Sequence, residues 1–209
     1  MAEHFPNCKV TGVSNSAPQR LAILARAKER GLSNVTIVTG DINVFDFDKK
    51  AQFDRVITIE MMEHMKNYEL LLGKVSTWLK PGGALFIHIF THVTTPYHFV
   101  DGWMAEEFFT GGQMPSDTLL CYFQKHLRLE GHWRVNGTHY EKTSNAWLEA
   151  LDRNKASAMA ILEKTMGSYH KANVQFVKWR LFYLACAELF GYDRGNRWIV
   201  SHYLMRKPE

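Results

Sequence analysis

The sequence of 209 residues lacks several features that would assign it to a particular class of protein. No apolar run approaches the roughly 18 residues that span a bilayer, so we expect no stable membrane insertion. Lysine plus arginine number 25 against 21 for aspartate plus glutamate, and the two signs are interleaved, which argues against a nucleic-acid partner. The first ten residues have neither the charged start nor the apolar core of a signal peptide.

Cysteine is also scarce, and the three present are Cys8, Cys121 and Cys186. An odd number of widely spaced cysteines favours reduced thiols over a disulfide framework, so we expect a cytoplasmic protein. Apolar residues make up 46% of the chain and charged residues 22%, which is typical of globular proteins. At this length we expect a single domain over residues 1–209, with a core of its own and room for a cap.

Strand and helix signals alternate over residues 8–92. The runs CKVTGVS, NVTIVTGD, FDRVITIE and ALFIHIFTH have the apolar and β-branched content of strands. The first helix has Ser16 as a candidate N-cap, Pro18 in its first turn and Gly31 as a stop, and a second helix should close at Pro81-Gly82-Gly83. This order predicts an α/β fold built from βαβ units around a parallel sheet.

From about Val93 to Asn154 the sequence is dense in aromatic residues, histidine and glycine and has no strong period. We expect this stretch to form a cap insertion, with FFTGGQMPS at its centre. One part of it, LRLEGHWRVNG, should return to the sheet as a strand. A long helical region and a last strand, RWIVSHYLMRK, follow the cap.

The segment ITIEMMEHMKNY places three ionisable side chains directly after a strand. The strand should be buried through apolar residues that include Ile57 and Ile59. If a helix begins near Glu60, spacings of three and four place Glu63 and His64 beside it on one face. Ligands of open α/β sheets bind outside the carboxyl ends of strands, which is where this trio would lie. The alternative is a solvated first helical turn in which the helix dipole favours acids.

Two polar side chains follow the earlier strands, Asn15 after CKVTGVS and Asp41 after NVTIVTG. Because successive parallel strands end at the same edge of a sheet, these side chains suit a nucleoside, one bonding ribose hydroxyls and the other an adenine amine. Alternatively, both residues simply cap turns or helices.

Six runs of the sequence together resemble the coclaurine N-methyltransferase group of the S-adenosylmethionine-dependent family that includes cyclopropane fatty-acid synthases. The runs are CKVTGVSNSA, GDINVFDFD, ITIEMMEHMKNY, FFTGGQMPS, VNGTHYEKTSNAWL and LACAELFGY. The resemblance extends from about Phe5 to Lys207. It implies a Rossmann-like class I methyltransferase sheet, S-adenosylmethionine as the cofactor and a small amine as the substrate.

The resemblance also implies which residues bind the cofactor. Asn15 and Gln19 match ribose and amino-acid contacts, and Asp41 with Ile42 matches the adenine site. Ile57 matches a residue that lines the pocket at the next strand.

The catalytic residues implied by the resemblance come from the trio. Glu63 and His64 match a catalytic Glu-His pair, with Glu60 as a supporting carboxylate. His88 and Tyr140 match positions that hold bicarbonate in the cyclopropane synthases together with the equivalent of Glu63.

A cysteine and a set of aromatic residues complete the candidate site. Cys186 falls where a functional cysteine has been suggested in the wider family, although core packing is the simpler interpretation of its apolar surroundings. The aromatic cap suits a flat aromatic amine through stacking and cation–π contacts, or else its rings simply fill the space between cap and sheet. These rings are Tyr97, Trp103, Phe108, Phe109 and Trp133.

One feature of the resembling family is missing from this sequence. Methyltransferases of this fold begin with a strand and a Gly-rich turn that holds the methionine end of the cofactor, whereas this chain contains no G-x-G. We therefore expect a sheet without its first strand, in an N-terminally incomplete chain that binds S-adenosylmethionine poorly by itself. The alternative is that a partner chain supplies the strand. The sequence leaves the oligomeric state undecided, with a homodimer as one alternative.

The sequence thus predicts transfer of a methyl group to an amine, with His64 as the base that removes its proton and Glu60 attracting the cation. Glu63 either orients His64 or accepts the proton itself. The runner-up reaction is methylene transfer to a lipid alkene, for which bicarbonate held by Glu63, His88 and Tyr140 would be the base. A third alternative, from a different class of function, is that the chain is a non-catalytic homologue that no longer binds cofactor.

Overall fold

The structure, a computed structural model, describes residues 1–100, 102–109 and 111–209. It divides into two compact units, residues 1–50 and 51–209. Asp101 and Thr110 fall within the expected cap, and Thr110 is part of the FFTGGQMPS run; both lie outside the described residues. In the described part of the chain, no helix combines the length and apolarity needed to cross a membrane.

The first unit is one βαβ motif, as the sequence predicts. Strands β1 (Val10–Ser14) and β2 (Val35–Thr39) pair in parallel, and helix α1 (Ala17–Glu29) connects them. Ser16 caps α1 by accepting a backbone N–H of its first turn. Gly31, at φ +66°, follows the helix in the left-handed conformation that stops helices.

The second unit contains the remaining strands and helices. Its strands are β3 (Phe53–Ile59), β4 (Leu79–His92), β5 (Tyr97–His98), β6 (Gln113–Met114), β7 (Arg128–Val135) and β8 (Trp198–Arg206). Its α-helices are α2 (Tyr68–Trp78), α3 (Trp103–Phe108), α4 (Thr138–Arg153), α5 (Lys155–Met166) and α6 (Tyr169–Gly195). Short 3₁₀ turns cover Met62–His64 and Leu119–Tyr122.

Four strands of the second unit form a mixed sheet in the order β3-β4-β8-β7. Only β3 and β4 are parallel, while β4 pairs with β8, and β8 with β7, in antiparallel fashion. The parallel pairing expected for residues 8–92 is present between β3 and β4, and the later strands β7 and β8 make the sheet mixed. The expected return of LRLEGHWRVNG to the sheet is confirmed as β7.

One face of β4 forms the core with α2. Ile87 and Ile89 of β4 are fully buried, and α2 contributes Leu71, Leu72 and Val75, spaced as the buried stripe of a helix requires. Burial alternates from Phe86 to Ile89, and Phe90 and Thr91 are then both buried.

The structure corrects the predicted burial of β3. Ile57 and Ile59 are 43% and 60% exposed, respectively. Successive side chains of a strand point to opposite faces, and β3 is an end strand whose Ile57–Ile59 face is left largely uncovered.

The helix expected from Glu60 is also wrong. Glu60 has φ +50°, and its N–H donates to the carbonyl of His88 at 3.1 Å, so the chain continues the strand ladder and then reverses. A 3₁₀ turn follows, and α2 begins only at Tyr68, where Asn67 caps it. At its other end α2 stops at Trp78, so the expected terminator Pro81-Gly82-Gly83 lies within β4 instead.

A buried carboxylate anchors the cap to the sheet. Asp117 is fully buried and follows the FFTGGQMPS run. Its carboxylate accepts hydrogen bonds from Ser201 at 2.7 Å and from Arg134 Nε at 2.7 Å, and it lies 2.8 Å from His132 Nε2. Burial raises the pKa of Asp117, but the hydrogen bonds from Ser201 and Arg134 act in the opposite direction, so the pKa is lowered overall.

Candidate active site

A cavity of about 590 Å³ lies in the second unit, between the cap segment, α4, α6 and the loop that follows β3. Aromatic side chains dominate its wall, and no lysine or arginine is among the described residues that line it. The aromatic lining residues are Phe90, Tyr97, Phe99, Trp103, Phe109, Tyr140, Trp147, Phe182, Tyr183 and Phe190. Two carboxylates, Glu60 and Glu63, give the cavity its acidic side chains.

Glu60 is held by groups from two other elements. Tyr140 of α4 donates its hydroxyl proton to Glu60 Oε2 at 3.2 Å, and His88 Nε2 of β4 lies 3.1 Å from Oε1. The contact with His88 is electrostatic and is not an aligned hydrogen bond. The left-handed backbone of Glu60 costs about 1–3 kcal/mol, and such strain clusters at functional sites.

Glu63 is a buried acid at the same cavity. It is 3% exposed, and its Oε2 has no hydrogen-bond partner among the described residues. Burial, with a smaller contribution from the charge of Glu60, raises the pKa of Glu63 from 4.5 to about 8. A carboxyl group in this position can hold or release a proton near neutral pH.

The structure separates His64 from the other two members of the trio. His64 is 45% exposed and is not among the lining residues, and its Nε2 lies 3.8 Å from Glu63 Oε1. The 3₁₀ turn directs neighbouring side chains apart, so Glu63 faces the cavity and His64 lies behind it.

His88 and Tyr140 are brought together at Glu60, and their expected role in holding bicarbonate with Glu63 stays a prediction. Both side chains contact Glu60 rather than Glu63. The chain reversal at Glu60 causes this, because it turns that side chain back towards β4 and α4. A glutamate carboxylate therefore contacts the two groups that were expected to hold bicarbonate.

The aromatic residues of the cap divide into two groups. Tyr97, Trp103 and Phe109 line the cavity. Phe108 instead stacks on Phe182, with ring centroids 4.3 Å apart, and Trp133 is 50% exposed on β7. Neither of these two lines the cavity.

Cys186 and two residues that the sequence analysis missed complete the site. Cys186 lines the cavity and is buried, and burial raises the pKa of its thiol to about 12.

Ser144 of α4 also lines the cavity, fully buried, with no hydrogen-bond partner for its Oγ in the described part of the chain. Gln113 donates to Met65 O and to the Tyr68 hydroxyl, both at 2.8 Å, and so ties the cap to the loop after Glu63. The VNGTHYEKTSNAWL and FFTGGQMPS runs contain these residues, but composition alone does not mark them.

The expected cofactor residues, except Ile57, lie in the first unit. Asn15 and Asp41 follow the adjacent carboxyl ends of β1 and β2, where Ser14 pairs with Thr39, and both are exposed. Asp41 Oδ1 accepts the backbone and side-chain N–H groups of Asn43, both at 2.9 Å. This capping contact is the alternative that the sequence left open for Asp41. Exposed amide and carboxylate groups at adjacent strand ends nevertheless have the chemistry that ribose and adenine require.

Gln19, Ile42 and Ile57 complete that set. Gln19 is exposed in the first turn of α1 and accepts the Ser14 hydroxyl at 2.9 Å, while Ile42 is half-buried. Ile57 lies on the exposed face of β3 and does not line the aromatic cavity, and its expected place in the wall of the cofactor pocket stays a prediction.

Residues 1–196 match the model of the family described as mycolic acid cyclopropane synthetase. The chain belongs to this family.

Its curated relatives include plant alkaloid methyltransferases. It is 34% identical to (S)-coclaurine N-methyltransferase of Papaver somniferum over 99% of this chain and 60% of that protein. It is 35% identical to pavine N-methyltransferase of Thalictrum flavum subsp. glaucum over 99% of this chain and 59% of that protein. The chain thus spans about three-fifths of the length of these relatives.

Solved structures show the same fold. Coclaurine N-methyltransferase bound to N-methylheliamine and SAH superposes with a TM-score of 0.93 and 37% identity, over 99% of this chain and 62% of that one. The cyclopropane synthase MmaA2 of Mycobacterium tuberculosis gives a TM-score of 0.78 at 21% identity, over 99% of this chain and 72% of that one. The α/β class I methyltransferase fold that the resemblance implied is confirmed.

Proposed function

We propose that this protein transfers a methyl group from S-adenosylmethionine to the nitrogen of a small aromatic amine. The observation that carries the proposal is the cavity itself, whose aromatic wall holds two carboxylates and, among the described residues, no lysine or arginine. The names of the relatives, which are N-methyltransferases of alkaloid amines, support the same chemistry.

The cavity has the properties that recognise a protonated aromatic amine. Its rings offer stacking surface and cation–π contacts, each worth about 0.5–2 kcal/mol. Glu60 supplies an anionic group for the ammonium, and its orientation is fixed by Tyr140 and His88. A neutral compound of the same shape would displace water from this carboxylate without offering it a positive charge, and so would bind less well.

Methyl transfer requires the amine to lose one proton first, because only a neutral nitrogen has a lone pair to attack with. Glu63, with a pKa of about 8 and an unpartnered oxygen at the cavity, is the acceptor that the geometry favours. His64 Nε2 lies 3.8 Å from Glu63 Oε1, beyond hydrogen-bond distance, so transfer of the proton onward to His64 requires the two side chains to move closer. Such proton transfer is worth about 10²–10⁴ in rate.

S-adenosylmethionine supplies the methyl group as a sulfonium when it is bound. Asn15, Gln19, Asp41, Ile42 and Ile57 are the residues that we expect to hold it, as the family resemblance implies. Asp41→Ala should weaken cofactor binding by about 1–3 kcal/mol in calorimetry, because an adenine amine would lose its acceptor. Asp48→Ala, a change at an exposed acid of the same unit, is the matched control. Equal affinity of Asp41→Ala and the parent would leave the turn cap as the role of Asp41.

The test of the proposal is transfer of labelled methyl from S-adenosylmethionine to coclaurine and to tetrahydroisoquinoline, a flat aromatic secondary amine. Glu63→Gln and His64→Gln should each lower turnover by about a hundredfold. The parent rate should rise with pH up to about 8, because Glu63 accepts a proton only when ionised, and Glu63→Gln should lose this rise. Parent rates in both variants would contradict the base assignment, and no transfer to any amine by a chain that binds S-adenosylmethionine in calorimetry would contradict the function.

The geometry favours an amine over a lipid alkene. Methylene transfer in the runner-up mechanism needs bicarbonate between His88 and Tyr140, and the carboxylate of Glu60 contacts both side chains. Addition of bicarbonate should therefore leave the rate of transfer unchanged.

We also infer a cytoplasmic location, supported by three free cysteines. A homodimer remains part of the proposal, and light scattering of the purified chain tests it.

A further inference from the structure

His202 of β8 contacts the group that orients Glu60. The cross-strand pair His88 and His202 brings the two rings together, and His88 Nδ1 lies 2.9 Å from His202 Nε2. The centroids of the two histidine rings are 4.9 Å apart at an interplanar angle of 36°. Phe86 packs against the ring of His202, with centroids 5.2 Å apart. His202 does not line the cavity and reaches it only through His88 and Glu60.

The contacts of His88 constrain where its proton lies. Its Nε2 is 3.1 Å from a buried oxygen of Glu60. A proton on Nε2 attracts that carboxylate, whereas a lone pair there would repel it. A neutral His88 with its proton on Nε2 presents a lone pair at Nδ1, and this atom then needs a donor. The only described group at hydrogen-bond distance from Nδ1 is His202 Nε2.

We propose that His202 is a positioning residue for amine binding. It donates its Nε2 proton to His88 Nδ1, and so holds His88 in the tautomer that directs an N–H at Glu60. The Glu60 carboxylate is thereby held between His88 on one oxygen and Tyr140 on the other, at the wall of the cavity. This inference rests on the proposed function, since it assigns the arrangement to recognition of a cationic amine.

A hydrogen-bonded partner outside the site commonly fixes the tautomer of a functional histidine. Burial, followed by the proximity of His88, lowers the pKa of His202. His202 therefore stays neutral at neutral pH and adds no positive charge beside the amine.

The experiment compares His202→Phe with His202→Gln in the whole chain. Phenylalanine keeps the ring and its packing but cannot donate, whereas glutamine restores an N–H donor. His132→Phe is the matched control, because His132 is a partly buried histidine on the adjoining strand β7 that bonds Asp117 and does not touch Glu60. The readouts are the tautomer of His88 by ¹⁵N NMR and the affinity for tetrahydroisoquinoline by calorimetry.

The parent should show His88 protonated at Nε2, with a ¹⁵N–¹⁵N coupling through the hydrogen bond to His202. His202→Phe should shift His88 towards the other tautomer and weaken amine binding about tenfold, and His202→Gln should restore both. His132→Phe should lower stability but leave both readouts unchanged. An unchanged His88 tautomer in His202→Phe overturns the inference, whether or not the amine binds. A parent that shows the tautomer and coupling but binds no amine contradicts the proposed function instead.

Discussion

At the scale of single residues, burial decides the chemistry of Glu63. Its folded-state pKa of about 8 lies above the ordinary 4.5, so between these values the folded protein holds a proton that the unfolded chain has released. The contribution of Glu63 to stability therefore falls as pH rises from about 4.5 to about 8, by at most ~1.4 kcal/mol per pH unit.

Glu63→Gln should remove this slope. We expect the variant to match the parent near pH 5 and to exceed it in free energy of unfolding at pH 8, as measured by urea denaturation across that range. Glu149→Gln, at an exposed position of α4, should keep the slope of the parent. A Glu63→Gln variant with the slope of the parent would show that Glu63 is ionised at ordinary pH.

Cys186 should be dispensable although it lines the cavity. Its pKa of about 12 keeps the thiol protonated at neutral pH, and burial, rather than the nearby Glu188, is the cause. Cys186→Ser should retain amine affinity and methyl transfer and lose about 1 kcal/mol of stability for a hydroxyl in apolar surroundings. Loss of methyl transfer in a folded Cys186→Ser variant would show a chemical role for the thiol.

The sequence identified the ionisable residues of the site but not their partners. Glu60, Glu63 and His64 could be predicted because they directly follow the apolar run of a strand. Which carboxylate contacts His88 and Tyr140 depends on the positive φ of Glu60, a conformation that no residue-type pattern predicts for glutamate. The burial of Ser144 depends on long-range packing in the same way.

At the scale of structural elements, the cap depends on the buried carboxylate of Asp117. Asp117→Ala should cost about 3 kcal/mol or more, because Arg134 and His132 lose their shared partner and the buried Ser201 hydroxyl keeps only its contact with Thr91. Urea denaturation measures this cost.

An exposed carboxylate provides the control for that prediction. Asp54 pairs with Lys80 at 2.8 Å on the surface, so Asp54→Ala should be indistinguishable from the parent. Equal stabilities of the Asp117 and Asp54 variants would contradict the anchoring role.

The boundaries of elements were less predictable than their existence. β-branched runs located β1 to β4, and Ser16 and Gly31 marked the ends of α1. Pro81-Gly82-Gly83 wrongly predicted the end of α2, because proline and glycine stop helices but also occur in the first part of β4. The exposure of β3 could not be predicted either, because a continuous apolar run does not tell which face is covered.

At the scale of the whole molecule, alternating signals predicted the α/β class, and the long motifs predicted the family. The mixed sheet was not predicted, because strand direction is set by pairing partners distant in sequence. His88 and His202 lie 114 residues apart in the sequence, so their pairing is visible only in the fold.

The most direct test of the central claim is calorimetric titration of the chain with tetrahydroisoquinoline and with tetralin, its carbocyclic counterpart without nitrogen. The acid-lined aromatic cavity predicts that the amine binds at least tenfold more tightly than tetralin at neutral pH. Glu60→Gln should abolish that preference, and Glu149→Gln should keep it. Equal affinity for the two compounds, or preference for the amine in Glu60→Gln, would contradict recognition of an amine by this cavity.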